Sequence, residues 1–155
     1  MTFGKNVSIM PYNMIIGGAD DKYQLIVGDN VEIGMFSRIG CVNRVEIGRN
    51  VLTGPHVFIS DFNHEYRNPN VPIRDQGKYL KPFLAEPGGV YIGEDSWIGT
   101  NVVISGSISI GKHCVIGANS VVTKDIPDYC VAVGAPCRVV KQYDFSIGLW
   151  KECKE

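Results

Sequence analysis

The chain has 155 residues, 15 basic against 16 acidic, and a formal net charge of −1. That length suits one domain spanning 1–155. The near-cancelling charge argues against a broad nucleic-acid or acidic-membrane surface, and no apolar run reaches the ~20 residues of a membrane-spanning helix.

The opening MTFGKNVSIMPYN lacks a charged region followed by an apolar signal core, so a cytoplasmic protein is expected. A period begins at once. Phe3, Ile9 and Ile15 are six apart. The next position is Asp21, inside the polar GGADDK stretch, which reads as a loop. The phase resumes at Val27, Ile33, Ile39 and Val45, skips two residues, and continues at Ile47, Thr53 and Ile59. Its cleanest run is Ile92, Ile98, Ile104, Ile110, Ile116 and Val122. A companion set follows each of these by four: Ser96, Val102, Ile108, Cys114, Ser120 and Ile126. Earlier companions are Val31, Ser37, Val51 and Val57.

Six is neither a helical period nor simple strand alternation. It reads as a short strand and a corner, repeated, which is a parallel β-helix. The first-position aliphatic and its small or β-branched companion both face a narrow prism. Asn30, Asn50, Asp95, Asn101, Asn119 and Asp125 precede companions, and these types best tolerate a left-handed backbone at a corner. His56 and His113 hold equivalent corner positions and read as structural or surface residues. The 18 glycines suit such a chain of corners.

Between about 60 and 90 the period fails. This stretch carries Pro69, Pro72, Pro82 and Pro87, and the aromatics Phe62, Tyr66, Tyr79 and Phe83. A non-repetitive stretch of that length is functional or disordered, and the aromatics favour an ordered loop that packs on something. Beyond Pro127, Val131, Val133, Val139 and Val140 read as closing strands around a Gly134-Ala135-Pro136 turn. The tail at 142–155 reads as an irregular or short helical cap. The five cysteines are odd in number and include no CxxC pair, which argues against a disulfide framework or structural zinc.

With repeats and tail in hand, the chain resembles the hexapeptide-repeat acyltransferases. The nearest branch is the bacterial sugar O-acetyltransferases of capsule and lipopolysaccharide synthesis, akin to the maltose and galactoside acetyltransferases. The residues that carry the resemblance are Ser60-Asp61-Phe62-Asn63-His64, Asp95-Ser96-Trp97-Ile98-Gly99, the run from Ile116 to Pro127, and that from Val133 to Lys141. The resemblance implies an all-β, left-handed parallel β-helix with one long inserted loop and a short C-terminal cap. It also implies a homotrimer with active sites between subunits, acetyl-CoA as co-substrate, a carbohydrate acceptor and no metal.

The implied chemistry is removal of a proton from a sugar hydroxyl, for which a neutral imidazole suits pH 7. His64 matches the family's loop base. Asp61 or Glu65 would orient its ring, and Asn63 and Asp61 are candidates to touch the sugar. Trp97 matches a wall of the acetyl or acceptor pocket, or else a subunit contact. Thr100, Ala118, Thr123 and Lys124 match the CoA wall, and Lys124, Arg138 and Lys141 are cations for CoA phosphates. An oxyanion donor is expected near Ser105 or Gly106, where Ser105-Gly106-Ser107 departs from the family's usual proline before glycine. The alternatives are N-acetylation of an amino sugar, a zinc enzyme like the γ-type carbonic anhydrases using His56, His64 and His113, and a non-catalytic trimeric scaffold.

Overall fold

The computed structural model describes residues 1–17, 24–79 and 88–153. The six-residue period becomes three flat faces, visited in turn by a left-handed parallel solenoid. The first sheet stacks Thr2–Phe3, Gln24–Val27, Arg44–Ile47, Val90–Ile92 and Ile108–Ile110. The second begins with Ser8–Ile9, Glu32–Ile33, Leu52–Thr53, Trp97–Ile98 and Val115–Ile116, and the third holds Met14–Gly17, Arg38–Cys41, Phe58–Ser60, Val103–Ser105 and Val121–Val122. Aliphatic residues therefore fall in columns: Val27 pairs Ile47, Ile47 pairs Ile92, and Ile92 pairs Ile110. All are buried, as are their companions Ser96, Val102, Ile108, Cys114 and Ser120. Each coil covers the apolar edge of its neighbour and shares backbone hydrogen bonds with it, as when Gly48 N–H donates to Ile92 O at 2.8 Å.

Two of the three corners are uniform, and both use left-handed residues. Asn6, Asn30, Asn50, Asp95, His113 and Tyr129 turn the chain from the first sheet to the second, all with positive φ. Their side chains form a ladder, from Asn6 Nδ2 to Asn30 Oδ1 at 3.1 Å, Asn30 Nδ2 to Asn50 Oδ1 at 2.9 Å, and Asn50 Nδ2 to Asp95 Oδ1 at 2.7 Å. Tyr12, Phe36, His56, Asn101 and Asn119 turn it from the second sheet to the third. Here Tyr12, Phe36 and His56 stack with centroids 5.0 and 5.2 Å apart. The expected Asn and Asp corners are found, except that Asp125 is absent from the left-handed set. It sits at the third corner, where its carboxylate accepts Ser109 N–H at 2.8 Å.

The third corner, from third sheet to first, carries the irregularities. Residues 18–23, with Asp21, fall there and lie outside the described residues. The step from Ile39 to Ile47 is two residues longer than a repeat. The extra residues sit at Cys41–Arg44, so Val45 aligns with Leu25 and Val90 and is a companion, not the first-position residue the spacing implied. The step from Val122 to Ile126 is two residues shorter, and Ile126 bridges Ile110. Ile126 is thus a first-position residue rather than a companion. In both places ladder pairing fixes the register, and the corner absorbs the difference.

The long insertion also leaves from this corner. It is partly regular: Asn63–His64 pairs antiparallel with Lys78–Tyr79, and a 3-10 turn spans Ile73–Asp75. Phe62 packs over Gly40, where an added Cβ would lie 3.2 Å from the ring. Tyr66 is 67% exposed and packs on little of its own chain. Residues 80–87, with Phe83, lie outside the described residues.

The tail is strand rather than irregular or helical. Cys130–Val133 adds to the second sheet in parallel, the chain reverses at Gly134–Cys137, and Arg138–Asp144 and Leu149–Glu152 follow antiparallel. The valines read as closing strands are part of this run. The tail covers the edge of the second sheet with a hairpin.

Candidate functional site

The matched residues fall on two separated parts of the surface. One is the base of the inserted arm. The other is the second sheet with the corner beside it and the tail, while Thr123 and Lys124 sit on the third corner, from which the arm leaves.

Asp61 opens the arm, but its carboxylate turns inward and the residue is 0% exposed. Oδ1 accepts Val42 N–H at 2.9 Å, and Oδ2 accepts the N–H groups of Asn43 and Arg44 at 2.7 Å each. A carboxylate satisfies the donors that the two extra corner residues would otherwise leave unpaired in the interior. Asp61 therefore neither orients His64 nor offers itself to a sugar in this chain. The clue in the sequence was the insertion at 41–44, one coil below an aspartate.

Glu65 is also engaged. It accepts Arg67 Nε–H at 2.8 Å and the backbone N–H groups of Tyr66 and Arg67 at 2.9 and 3.0 Å. The Arg67 guanidinium and these donors pull its carboxyl down to about 2. Glu65 closes its own turn. His64 is exposed, its backbone opposite Lys78, and its ring has no hydrogen-bond or ion-pair partner among the described residues. Asn63 anchors the arm, because Ser105 Oγ donates to Asn63 Oδ1 at 2.9 Å. Gly106 follows at φ +97, a value that favours glycine, and its N–H donates to Ser60 O at 2.9 Å. That N–H is thus committed within the chain, which removes it as the expected oxyanion donor. Ser105, noted in the sequence only as a departure, holds the arm.

Trp97 stands in the middle of the second sheet, 51% exposed, between Leu52 and Val115 in register. Thr100 and Ala118 are exposed neighbours one coil apart at the corner beside it. The coils approach closely there: a Cβ on Gly54 would lie 2.7 Å from Thr100 N, and one on Gly99 2.7 Å from Ala118 N. Thr123 and Lys124 leave the third sheet at the third corner, and Lys124 has no ion pair among the described residues. Arg138 is exposed and donates from Nη1 to Cys137 O at 2.8 Å. Lys141 Nζ lies 3.0 Å from Glu152 Oε1, so its charge is already answered within the tail hairpin. Thr100 and Ala118 leave room along their corner for a ligand laid against the coils, whereas Thr123 and Lys124 stand at another corner.

The two groups of residues lie apart in the chain. Trp97 and its corner lie on the second sheet, whereas His64 rides an arm from the opposite corner. His56, His64 and His113 stand at three different corners and do not converge within the chain, and no cluster of three metal-ligating side chains occurs among the described residues. The buried thiols of Cys41 and Cys130 are poor nucleophiles. Burial, then the Asp61 carboxylate, pushes Cys41 up to about 11, and burial pushes Cys130 up to about 11.

Residues 89–124 match the bacterial transferase hexapeptide (six repeats) family. The chain is 40% identical over 119 residues to a probable acetyltransferase of Mycobacterium tuberculosis, covering 77% of this chain and 37% of that protein. Among solved structures it is similar to a maltose O-acetyltransferase from Clostridium difficile, with TM-score 0.54 and 32% identity over 92% of this chain and 66% of that one. A galactoside acetyltransferase in complex with coenzyme A gives TM-score 0.59 and 30% identity over 91% of this chain and 64% of that one. The chain spans between 37% and 65% of the length of the first curated relatives it matches.

Proposed function

Because the chain is a hexapeptide-repeat β-helix protein related to the galactoside and maltose O-acetyltransferases, we propose that it transfers an acetyl group from acetyl-CoA to a hydroxyl of a sugar or sugar-linked acceptor. The observation that carries this reading is His64: an exposed imidazole without a partner among the described residues, on an arm fixed by the Ser105–Asn63 bond. In this reading Nε2 or Nδ1 of His64 takes the hydroxyl proton as the sugar oxygen bonds to the acetyl carbon. The carbon–sulfur bond breaks, and the imidazolium returns its proton to the departing thiolate of CoA. The raised thiol values of Cys41 and Cys130 support direct transfer without an acyl-cysteine.

His64 and the Trp97 wall lie on different faces, which supports a site shared between copies. In our reading the protein is a homotrimer in which one subunit's arm meets a neighbour's second sheet. Thr100 and Ala118 would border the pantetheine arm, Thr123 would line its end, and Lys124 with Arg138 would face phosphates. Asp61 and Glu65 are committed elsewhere, so the group that orients His64 comes from a neighbouring copy or from the acceptor. Asn63 keeps its amide nitrogen for the sugar. Five unpaired cysteines suit the reducing cytoplasm.

The test is thiol release from acetyl-CoA with methyl galactoside, methyl glucoside and glucosamine as acceptors. His64→Ala should lower turnover about 10²–10⁴-fold with an unchanged circular dichroism spectrum. Near wild-type turnover by that variant would refute the assignment. Transfer to the amine of glucosamine alone would replace O-acetylation with N-acetylation.

A further inference from the structure

Beside Trp97 lies a cavity of about 350 Å³, at the small end of the ~300–1,000 Å³ range of ligand sites. Its other walls are Tyr129 at the corner and Tyr143, Phe145 and Trp150 from the tail hairpin. These rings are braced against one another: Tyr129 meets Phe145 edge-on at 4.8 Å, Tyr143 meets Phe145 at 4.9 Å, and Tyr143 meets Trp150 at 5.3 Å. Edge-to-face packing braces the rings; Phe145 and Trp150 remain exposed, and Lys112 Nζ stands 5.6 Å over the Tyr129 ring. The cavity has one polar end, formed by Asp95 and His113. There Asp95 Oδ1 accepts Asn50 Nδ2–H at 2.7 Å, while Oδ2 stands 4.0 Å from His113 Nε2.

We propose that this cavity is a second saccharide subsite, taking the sugar ring next to the one that is acetylated. The inference rests on the acetyl-transfer reading above and extends it: the acceptor is an oligosaccharide or glycan chain rather than a free monosaccharide. A pyranose ring offers weakly positive C–H groups to aromatic faces and hydroxyls to a carboxylate–imidazole pair, and the cavity supplies both. It shares Trp97 with the wall assigned to the acyl and acceptor pocket, so a chain lying across Trp97 reaches both sites. A second protein copy is the poorer occupant of the hairpin side of the cavity, away from the part of the sheet that a neighbour's arm would meet. The hairpin beside the cavity carries the ion pairs Lys141–Glu152 and Lys151–Asp144, whose desolvation a protein interface would have to offset and which a sugar leaves wet.

Trp97 and Trp150 are the chain's two tryptophans and both line this cavity, so intrinsic fluorescence reports on it. Maltohexaose and galactotetraose are titrated into the full protein and its His64→Ala variant, with methyl glucoside and methyl galactoside as short probes. A saturable emission change with a hexaose or tetraose, weakened on the order of tenfold in Trp150→Phe and Phe145→Ser, is expected. In the transfer assay both variants should keep kcat/KM on the methyl glycosides and lose it about tenfold on the longer acceptors. The two substitutions are independent, and a thermal melt identifies either one that fails to fold. No emission change with either oligosaccharide, or emission that follows protein concentration alone, overturns the subsite. If instead no acceptor is acetylated by the wild type while oligosaccharides still bind, it is the acetyl-transfer reading that fails.

Discussion

Replacing Asp61 by Asn separates a structural from a catalytic role at the foot of the arm. The buried carboxylate accepts three backbone N–H groups at 2.7–2.9 Å. Hydrogen bonds to charged groups contribute about 1.5–3 kcal/mol each. An asparagine oxygen can still face Asn43 and Arg44, but its NH₂ then points at Val42 N–H, donor against donor. One bond is lost, the other two lose their charge assistance, and a buried donor is left unpaired. The expected cost is about 3 kcal/mol. With a urea slope of roughly 1–3 kcal/mol per molar, the unfolding midpoint should fall by about 1–3 M. Turnover per folded molecule should stay within a few-fold of wild type. An unchanged midpoint with collapsed turnover would refute this reasoning and return Asp61 to the side of His64.

Glu65 is held at about 2, chiefly by Arg67. A depressed carboxyl adds stability that is present above its unfolded value of 4.5 and is lost as pH falls through about 2. Glu65→Gln should therefore leave any acid limb of the pH–rate profile between pH 5 and 8 where it is, and a displaced limb would show that Glu65 titrates with the base. Gly54→Ala puts a Cβ 2.7 Å from Thr100 N; overpacking of about 1–3 kcal/mol should lower the thermal midpoint and raise KM for acetyl-CoA, and an unaltered KM would detach Thr100 from the CoA wall. Cys41, Cys114, Cys130 and Cys137 are buried, whereas Cys153 is half-buried. A thiol reagent at pH 8 should therefore label Cys153 quickly and the rest only in denaturant; fast labelling of Cys114 or Cys137 would contradict the packing of the tail.

Much of the fold was legible because the solenoid repeats one local rule. Ile92, Ile98 and Ile104 announce three faces by their spacing, and the residues at Asn30, Asn50 and Asn101 announce left-handed corners. Other corners were harder to read. Tyr12 and Phe36 adopt the same strained backbone with no local preference for it, and the stacking that accompanies it lies a full coil away in sequence. The misplacement of Val45 and Ile126 has a similar source. Both are apolar and near the right spacing, and only ladder pairing decides which column they join. At the site, motif order identified His64 and Trp97 as candidates, but no motif reveals which way a carboxylate points. Asp61 turns inward because an insertion 17–19 residues earlier leaves backbone donors to satisfy, a relation that only the stacking of coils makes visible. The tail was misread because its residues 143–152 carry no hexapeptide signal, whereas the pairing of Lys141 with Glu152 and Tyr143 with Trp150 is that of an ordinary hairpin.

All of the length variation described above falls on one edge of the prism. Chain can be added or removed there, as at Cys41–Arg44, along the arm and at Val122–Ile126, without moving a residue on the other two edges. The solenoid therefore behaves as a modular chassis with a single grafting port. The port carries the arm with His64, while Thr100 and Ala118 occupy an edge of constant length. In the acetyl-transfer reading proposed above, exchange of the arm between related chains would change acceptor preference while leaving the edge that carries Thr100 and Ala118 in place.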